Sequence, residues 1–250
     1  MNLLFTRELK KELADLEQVF KYSLLPWWDS IDDYVKALEN DLTWVILPPV
    51  VMSIYTFTGH NRQLAIIISN IFRNCYLAHR IHDLVKDDEE GQQHNQELQF
   101  NILIGDYIFG NVLKALVDIK ADRLVGFFAE MIAEVNQGLL IKHKLNGNYE
   151  EVVEKTRAPY YATAFLIAAR LAGYDDKTCQ SYRQMGYHFA MSIELGQDPA
   201  YCSLAQTHVH ECEKIFISLN KHSNSANSSL EKAIKEVHNH LCGMEESAVV

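Results

Sequence analysis

The sequence contains few of the residues that interrupt helices, and it lacks the patterns typical of sheets and disulfide-linked domains. Only 11 glycines and 5 prolines occur among 250 residues, and no segment alternates polar and apolar residues as a half-buried strand does. Five cysteines are scattered without a CxxC pair, which predicts reduced thiols and neither a disulfide framework nor a zinc site built on such pairs. These absences favour a helical protein.

Basic residues and long apolar runs are also scarce. The formal net charge of −10 argues against nucleic acid or an anionic membrane as the main partner. No apolar run reaches the roughly 18 residues that span a bilayer, and the longest, around residues 44–54, contains Pro48 and Pro49. The N-terminal MNLLFTRELKKEL is mixed in charge, unlike a signal peptide. We therefore expect a cytoplasmic protein without a transmembrane segment.

The sequence is rich in apolar residues spaced three or four positions apart, which predicts helices along most of its length. The predicted helices cover residues 9–22, 32–38, 64–85, 98–119, 121–143, 149–172, 177–195, 204–219 and 229–242. Breaks are predicted at Pro26, Pro48-Pro49, 58–61, 87–93, 146–148, 173–176, 196–199 and 223–229. Several helices are apolar nearly all round, as in the interior of a bundle. We predict an all-α fold, a single large helix bundle over residues 1–243, followed by a short disordered tail at 244–250.

The segment AHRIHDLVKDDEEG, residues 78–91, carries the candidate chemistry. Asp83 and Asp87 would lie one turn apart on the same helix face, and Asp88 follows them. Carboxylates so placed can bind Mg2+ together with a substrate diphosphate, because this hard cation prefers oxygen ligands and seldom has an all-protein cage. A solvated acidic helix end is the alternative explanation of the same residues.

The order of the motifs resembles that of the trans-polyprenyl diphosphate synthases over about residues 40–197. In chain order these are His82-Asp83 with Asp87, Gly105-Asp106-Tyr107, and Lys155-Thr156 ahead of an alanine-rich helix. The resemblance implies a helix bundle of the isoprenoid synthase type. It also implies Mg2+ at Asp83, Asp87 and Asp88, and contacts from Lys155 and Thr156 to an allylic diphosphate.

The sequence departs from the family at most of its other functional positions. Leu84 replaces the second aspartate of the first motif, and Glu89-Glu90-Gly91 stands where the family has Arg-Arg-Gly. The positions that bind isopentenyl diphosphate in the family are here Trp44, Leu47 and Tyr76. The second aspartate motif is reduced to Ile193, Glu194 and Gln197. Ionisation of an allylic diphosphate requires metal ions and basic groups to neutralise the leaving group. Each lost charge-assisted hydrogen bond costs roughly 1.5–3 kcal/mol of binding. We therefore expect the chain alone not to bind isopentenyl diphosphate productively.

A chain that keeps the fold and loses the motifs resembles the small subunit of a heteromeric hexaprenyl or heptaprenyl diphosphate synthase. The resemblance implies a non-catalytic, chain-length-determining role in the biosynthesis of isoprenoids and menaquinone side chains. The implied partner is the catalytic large subunit in a heterodimer. Apolar helices at 102–119 and 124–140 are the interface candidates, and a homodimer through equivalent helices is the alternative.

Two other functions remain open at this stage. The chain could be an active synthase in which Asp83, Asp87 and Lys155 hold Mg2+ and diphosphate and Glu194 faces them. It could instead be an HD-type metal phosphohydrolase, for which the candidate ligands are His60 or His79, His82-Asp83, and one of Asp106, Asp175 or Asp198.

Histidines are also concentrated near the C-terminus, at positions 208, 210, 238 and 240. Each pair is two residues apart, so on a helix its members point to different faces. We predict surface histidines, with a mixed metal site involving Cys212 or Cys242 as the alternative.

Overall fold

A computed structural model describes residues 4–85, 96–220 and 228–248, and within these ranges the regular secondary structure is entirely helical, without strands. The α-helices are α1 Lys10–Ser23, α2 Trp28–Ala37, α3 Leu42–Phe57, α4 Arg62–His82, α5 Gln96–Asp118, α6 Val125–Leu140, α7 Tyr149–Thr156, α8 Ala158–Leu171, α9 Asp176–Leu195, α10 Cys202–Asn220 and α11 Ser229–Ala248. Short 3-10 turns cover Leu4–Leu9, Asp122–Leu124 and Pro199–Tyr201, and a π-helical turn covers Ile141–Leu145.

Side-chain caps define where several helices begin. Asp41, Asn61, Asn148 and Asp175 each accept a hydrogen bond from the backbone N–H three residues later, at 2.7–3.0 Å. These bonds satisfy donors that have no partner inside the helix. The capped helices are α3, α4, α7 and α9, and three of them end at the cavity described below.

Helix α3 runs through Pro48 and Pro49, where the sequence predicts a break. A proline inside a helix loses one backbone hydrogen bond and costs about 3 kcal/mol or more. Burial outweighs this cost, because α3 is buried on nearly every side from Thr43 to Tyr55. Ser53 Oγ also donates to the carbonyl oxygen of Pro49 at 2.8 Å.

The centre of the bundle is formed by α3, α4, α8 and α9, whose residues are buried nearly all round. Helix α8 packs against α3, α6, α7 and α9, whereas α4 packs against α1, α3 and α5. The contact between α8 and α9 is close at Gly186, where an added Cβ would lie 2.5 Å from the carbonyl oxygen of Tyr161. Helices α10 and α11 cover the outer face of α9.

Several helix boundaries differ from the prediction by a few residues, and helix α3 was not predicted. The predicted helix 149–172 is two helices, which meet at Arg157 just before Pro159. Helix α11 continues to Ala248, six residues beyond the predicted helix end at 242.

Two helical stretches, Gln99–Asp118 and Asp122–Leu145, are long and apolar enough to cross a membrane by length and composition alone. Only 33% of each is buried in the bundle. Core helices of soluble proteins meet the same criterion, and the expectation of no transmembrane segment, which rested on unbroken apolar runs, stays a prediction. Polar residues such as Asp106 and Glu134 interrupt both stretches.

Candidate functional site

A cavity of about 480 Å³ lies where the carboxyl ends of α4, α6 and α9 meet the junction of α7 and α8. Its lining is aromatic and charged: Tyr76, His79, Arg80, Asp83, Val135, Leu139, Lys142, Gly147, Tyr149, Val152, Val153, Thr156, Arg157, Tyr160 and Glu194. The cavity thus brings together Tyr76, Asp83, Thr156 and Glu194, four positions that the motif comparison singled out.

Asp83 follows the last residue of α4, and its side chain is only 9% exposed. Its Oδ1 accepts from His143 Nε2 at 2.7 Å and from Lys142 Nζ at 3.0 Å. Its Oδ2 accepts from Lys142 Nζ at 2.7 Å and from Arg80 at 3.1 Å. Burial alone would raise the pKa of Asp83, but the bonds from Lys142 and His143 outweigh it and lower the pKa. The carboxylate is therefore ionised and paired within the protein.

This arrangement does not fit a Mg2+ site. Both oxygens of Asp83 are already bonded to basic side chains, which would repel a divalent cation and would have to move before it could bind. The other predicted metal ligands, Asp87 and Asp88, lie outside the described residues, as do Glu89 to Gly91.

Glu194, the surviving carboxylate of the second motif, is buried and accepts from Thr43 Oγ1 at 2.5 Å. Burial raises its pKa, although Arg157 and the Thr43 hydroxyl act in the opposite direction. A carboxyl whose charged form is disfavoured is a poor Mg2+ ligand. Its neighbour Ile193 belongs to the core, and the amide of Gln197 donates to the Ile193 carbonyl oxygen at 3.0 Å.

A second set of side chains, in which Asp41, Arg80 and Arg157 join the predicted position Tyr76, fills the wall between α3, α4 and α8. Tyr76 donates its hydroxyl to Asp41 Oδ1 at 2.7 Å. The guanidinium groups of Arg80 and Arg157 lie 3.7 and 3.6 Å from Asp41 Oδ2, and Arg157 also stacks over the Tyr76 ring at 5.1 Å. Sequence signals existed for two of these: Asp41 precedes α3 as a cap, and Arg157 directly follows Lys155-Thr156.

The positions of the family's isopentenyl diphosphate contacts are part of the core. Trp44, Leu47 and Tyr76 are all buried. The ring of Trp44 packs against the guanidinium of Arg73, which also stacks on Phe20, with its carbon 4.3 Å from each ring centre. Arg73 is in turn paired with Glu17 at 2.6 Å. No basic side chain among these residues remains available for a diphosphate.

Lys155 and Thr156 point in different directions. Lys155 Nζ lies 3.2 Å from Glu134 Oε1 on α6, and this residue does not line the cavity. Thr156 lines the cavity, but its hydroxyl donates to the Val152 carbonyl oxygen at 2.6 Å. Close packing of Lys155 and Thr156 against Gly138 fixes this orientation, since an added Cβ there would lie 2.6–2.8 Å from both residues.

Gly105-Asp106-Tyr107 joins α5 to its neighbours rather than to the cavity. The ring of His82 lies so close to Gly105 that an added Cβ would meet Nε2 at 2.2 Å, and the same nitrogen is 3.5 Å from Asp106. Tyr107 donates to the carbonyl oxygen of Leu25 at 2.7 Å. The motif therefore has a packing role here.

The ligands expected for a phosphohydrolase do not converge among the described residues. His60 bonds to the Ala168 carbonyl oxygen at 2.8 Å, and His79 bonds to the Tyr160 hydroxyl at 2.5 Å. Burial lowers the pKa of His79 to about 4. Asp175 caps α9, and Asp198 accepts from the backbone N–H of Ala200. The group of three metal-ligating side chains that the described residues do form lies elsewhere.

No protein-family model matches the sequence, and no curated protein matches it. Solved structures do match. The polyprenyl synthase from Caulobacter crescentus complexed with calcium and isoprenyl diphosphate is 13% identical, with a TM-score of 0.75 over 95% of this chain and 97% of that chain. The geranyl diphosphate synthase small subunit from Antirrhinum majus is 14% identical, with a TM-score of 0.69 over 94% of this chain and 99% of that chain. A mint heterotetrameric geranyl pyrophosphate synthase is 15% identical, with a TM-score of 0.66 over 92% and 98% of the two chains.

At these identities the likeness establishes the fold. The chain has the all-helical isoprenoid synthase fold over nearly its whole length, which confirms the predicted fold class.

Proposed function

We propose that this chain is the non-catalytic small subunit of a heteromeric trans-polyprenyl diphosphate synthase that acts in the cytoplasm. The observation that carries the proposal is the environment of Asp83, whose carboxylate is held by Arg80, Lys142 and His143. A synthase needs that carboxylate for Mg2+, because metal-bound charge stabilises the departing diphosphate. Here the same carboxylate joins α4 to the turn after α6.

The cavity wall supports the same proposal. Burial of Trp44, Leu47 and Tyr76 in the core makes these three positions unable to contact an isopentenyl diphosphate as their counterparts in the family do. Arg157 and Tyr76 instead project towards each other and towards Asp41, where they tie α8 to α4 and α3. Such a chain would contribute packing contacts and the shape of an interface to the enzyme, but not the ionisation of the allylic diphosphate.

Helices α5 and α6 supply the surface for a catalytic partner. About a third of the most apolar window of each stretch is buried. Large apolar side chains stand exposed on α5 at Ile102, Leu103, Leu113 and Val117, and at the end of α6 at Leu140. Exposed apolar area of this kind marks interaction sites on soluble proteins. Two of the matched structures come from heteromeric enzymes by their own descriptions, a small subunit and a heterotetramer. We infer a heterodimer with the large subunit, whose product length this chain adjusts for menaquinone side chains.

The test is a prenyltransferase assay with labelled isopentenyl diphosphate, farnesyl diphosphate and Mg2+. The chain is assayed alone, then with the catalytic homologue from the same organism, and that homologue is assayed alone as control. We expect no turnover by this chain alone, and activity or longer products in the mixture. Products identical in length and amount with and without this chain would contradict the proposal.

An active synthase is the second candidate, because Thr156 and Glu194 still line the cavity. It requires Mg2+ to displace Lys142 and His143 from Asp83. Turnover by the isolated chain that is lost on Asp83→Ala and kept on Asp106→Ala would establish this function and refute the subunit proposal.

A further inference from the structure

Three metal-ligating side chains meet on the outer face of α10 and α11, away from the cavity. His210 comes from α10, and His238 and Cys242 lie one turn apart on α11. One donor atom from each lies within 4.8 Å of the other two. His210 is exposed and the other two are half-buried, so the cluster is open to solvent. One histidine from each of the two C-terminal pairs, His210 and His238, thus belongs to the same cluster.

Both histidines have their second ring nitrogen fixed by an acceptor. His210 Nδ1 donates to the carbonyl oxygen of Gln206 at 2.7 Å. His238 Nδ1 donates to Glu213 Oε1 at 2.5 Å. Since a carbonyl oxygen and a carboxylate only accept, the proton of each neutral ring is on Nδ1 and the lone pair is on Nε2. Histidine ligands of metals almost always carry such a partner on the other nitrogen.

We propose that His210, His238 and Cys242 bind a divalent transition metal of the zinc class. Two imidazoles and one thiolate suit Zn2+, whereas Mg2+ and Ca2+ require oxygen ligands. Tetrahedral bonds of about 2.0–2.3 Å would bring the ligand atoms to roughly 3.3–3.8 Å from one another. Small rotations of the exposed His210 and of the half-buried His238 and Cys242 would close that difference. Water takes the fourth position.

The metal would fasten α11, which itself holds the N-terminal end of the chain. Glu236 on α11 accepts from the backbone N–H of Leu4 at 2.5 Å and of Phe5 at 3.3 Å. Lys232 pairs with Glu8 on the same side. A ligand bridge from His210 to the other end of α11 therefore stabilises both chain ends together.

Cobalt serves as the test metal, because its spectrum reports both thiolate ligation and coordination geometry. The full-length protein is purified, stripped with a chelator, reduced and titrated with Co2+. Zn2+ affinity is then measured by displacement of cobalt. We expect one Co2+ per chain, a thiolate-to-metal charge-transfer band in the near ultraviolet, and a Zn2+ dissociation constant of about 1 μM or lower.

Variants separate this site from adventitious binding. Cys242→Ser should abolish the charge-transfer band, and His210→Gln should weaken Zn2+ binding about tenfold or more. Glu213→Ala, which removes the hydrogen-bond acceptor of His238, should weaken Zn2+ binding by about tenfold while the band is kept. The matched controls are Cys202→Ser, another half-buried thiol, and His240→Gln; neither should change the titration.

Failure to bind Co2+ at stoichiometric levels, or binding that Cys242→Ser and His210→Gln leave unchanged, would overturn the proposal. Circular dichroism of each variant checks that the helices are retained. The readout does not involve prenyl transfer, so its outcome is independent of the proposed subunit function.

Discussion

At the scale of single residues, Asp83 is the position where metal binding and internal pairing lead to opposite expectations. Asp83→Asn would leave Arg80, Lys142 and His143 without their shared anion. Asp83 is buried, but Arg80, Lys142 and His143 keep partial contact with solvent, which screens their charges. We therefore expect the free energy of unfolding to fall by about 1–2 kcal/mol, less than for a fully buried ion pair. Urea denaturation at pH 7 measures the change.

Asp106→Asn is the control for Asp83, because Asp106 is mostly exposed and, among the ion pairs of the described residues, pairs only with His82, at 3.5 Å. It should change stability by less than about 0.5 kcal/mol. Because folding lowers the pKa of Asp83, its carboxylate contributes to the stability of the folded protein at pH values above the ordinary aspartate pKa. That stability is lost as the pH falls through the lowered pKa of the folded state. A stable Asp83→Asn variant that had lost Mg2+-dependent diphosphate binding would contradict the pairing role.

His79 predicts how the protein responds to acid. Burial lowers its pKa to about 4, whereas an unfolded histidine titrates near 6.5. The unfolded chain therefore takes up more protons between these values, and stability present above about pH 6.5 is lost as pH falls towards 4. This one residue should cost on the order of 2 kcal/mol between pH 7 and pH 5.

Paired urea denaturations at pH 7 and pH 5 measure that loss. His79→Gln should reduce the pH dependence by most of this amount, whatever its own stability at pH 7. Tyr160→Phe removes the hydrogen bond to His79 and keeps the buried imidazole, so it should retain the acid-induced loss. Equal pH dependence in wild type and His79→Gln would contradict the assignment.

The sequence could indicate which positions lie at the cavity only where a motif marked them. The order of motifs located Asp83, Thr156 and Glu194, which the cavity does bring together. It could not indicate that Lys142 and His143 would reach Asp83, because this contact joins residues about 60 positions apart. Local signals marked Asp41 as a possible helix cap and Arg157 as the neighbour of Lys155-Thr156, but they could not indicate that the two side chains meet each other and Tyr76.

At the scale of helices, the tightest packing predicts a large cost at one glycine. Gly186→Ala would place a Cβ 2.5 Å from the backbone oxygen of Tyr161, where α8 and α9 are both buried. Backbone cannot yield as a flexible side chain can, so we expect destabilisation of about 2–3 kcal/mol. Gly110→Ala in α5, whose Cβ would meet nothing within 4 Å, should instead stabilise by roughly 0.5–1 kcal/mol. Thermal denaturation of both variants measures these changes in stability. Equal changes in Gly186→Ala and Gly110→Ala would refute the packing argument.

Spacing of apolar residues predicted most helices because a bundle helix buries the stripe that the spacing creates. Local rules failed where tertiary contacts decided the outcome. The sequence predicts a helix break at Pro48 and Pro49, yet α3 continues through them because it is buried on nearly all sides. Arg157 read as helix interior, yet it separates α7 from α8 and places its guanidinium beside Asp41.

At the scale of the whole molecule, the apolar faces of α5 and α6 are the feature that a partner would use. Leu103→Glu places a charge at a leucine that is 68% exposed. It should leave the stability of the isolated chain within about 0.5 kcal/mol and reduce co-purification with the catalytic subunit at least tenfold. Ile217→Glu on α10, at a site 59% exposed, is the control and should assemble normally. Equal loss in both variants would mean that α5 is not the docking surface.

The exposed apolar side chains of α5 and α6 also affect the steady-state abundance of the protein in a cell. Until a partner covers these helices, they present the kind of surface that chaperones retain and proteases recognise, and small differences in stability then change abundance several-fold. In the proposed heterodimer, the amount of the catalytic large subunit would thus set the steady-state level of this chain. Expressing the two chains together would raise the yield of this chain without any change in its transcription.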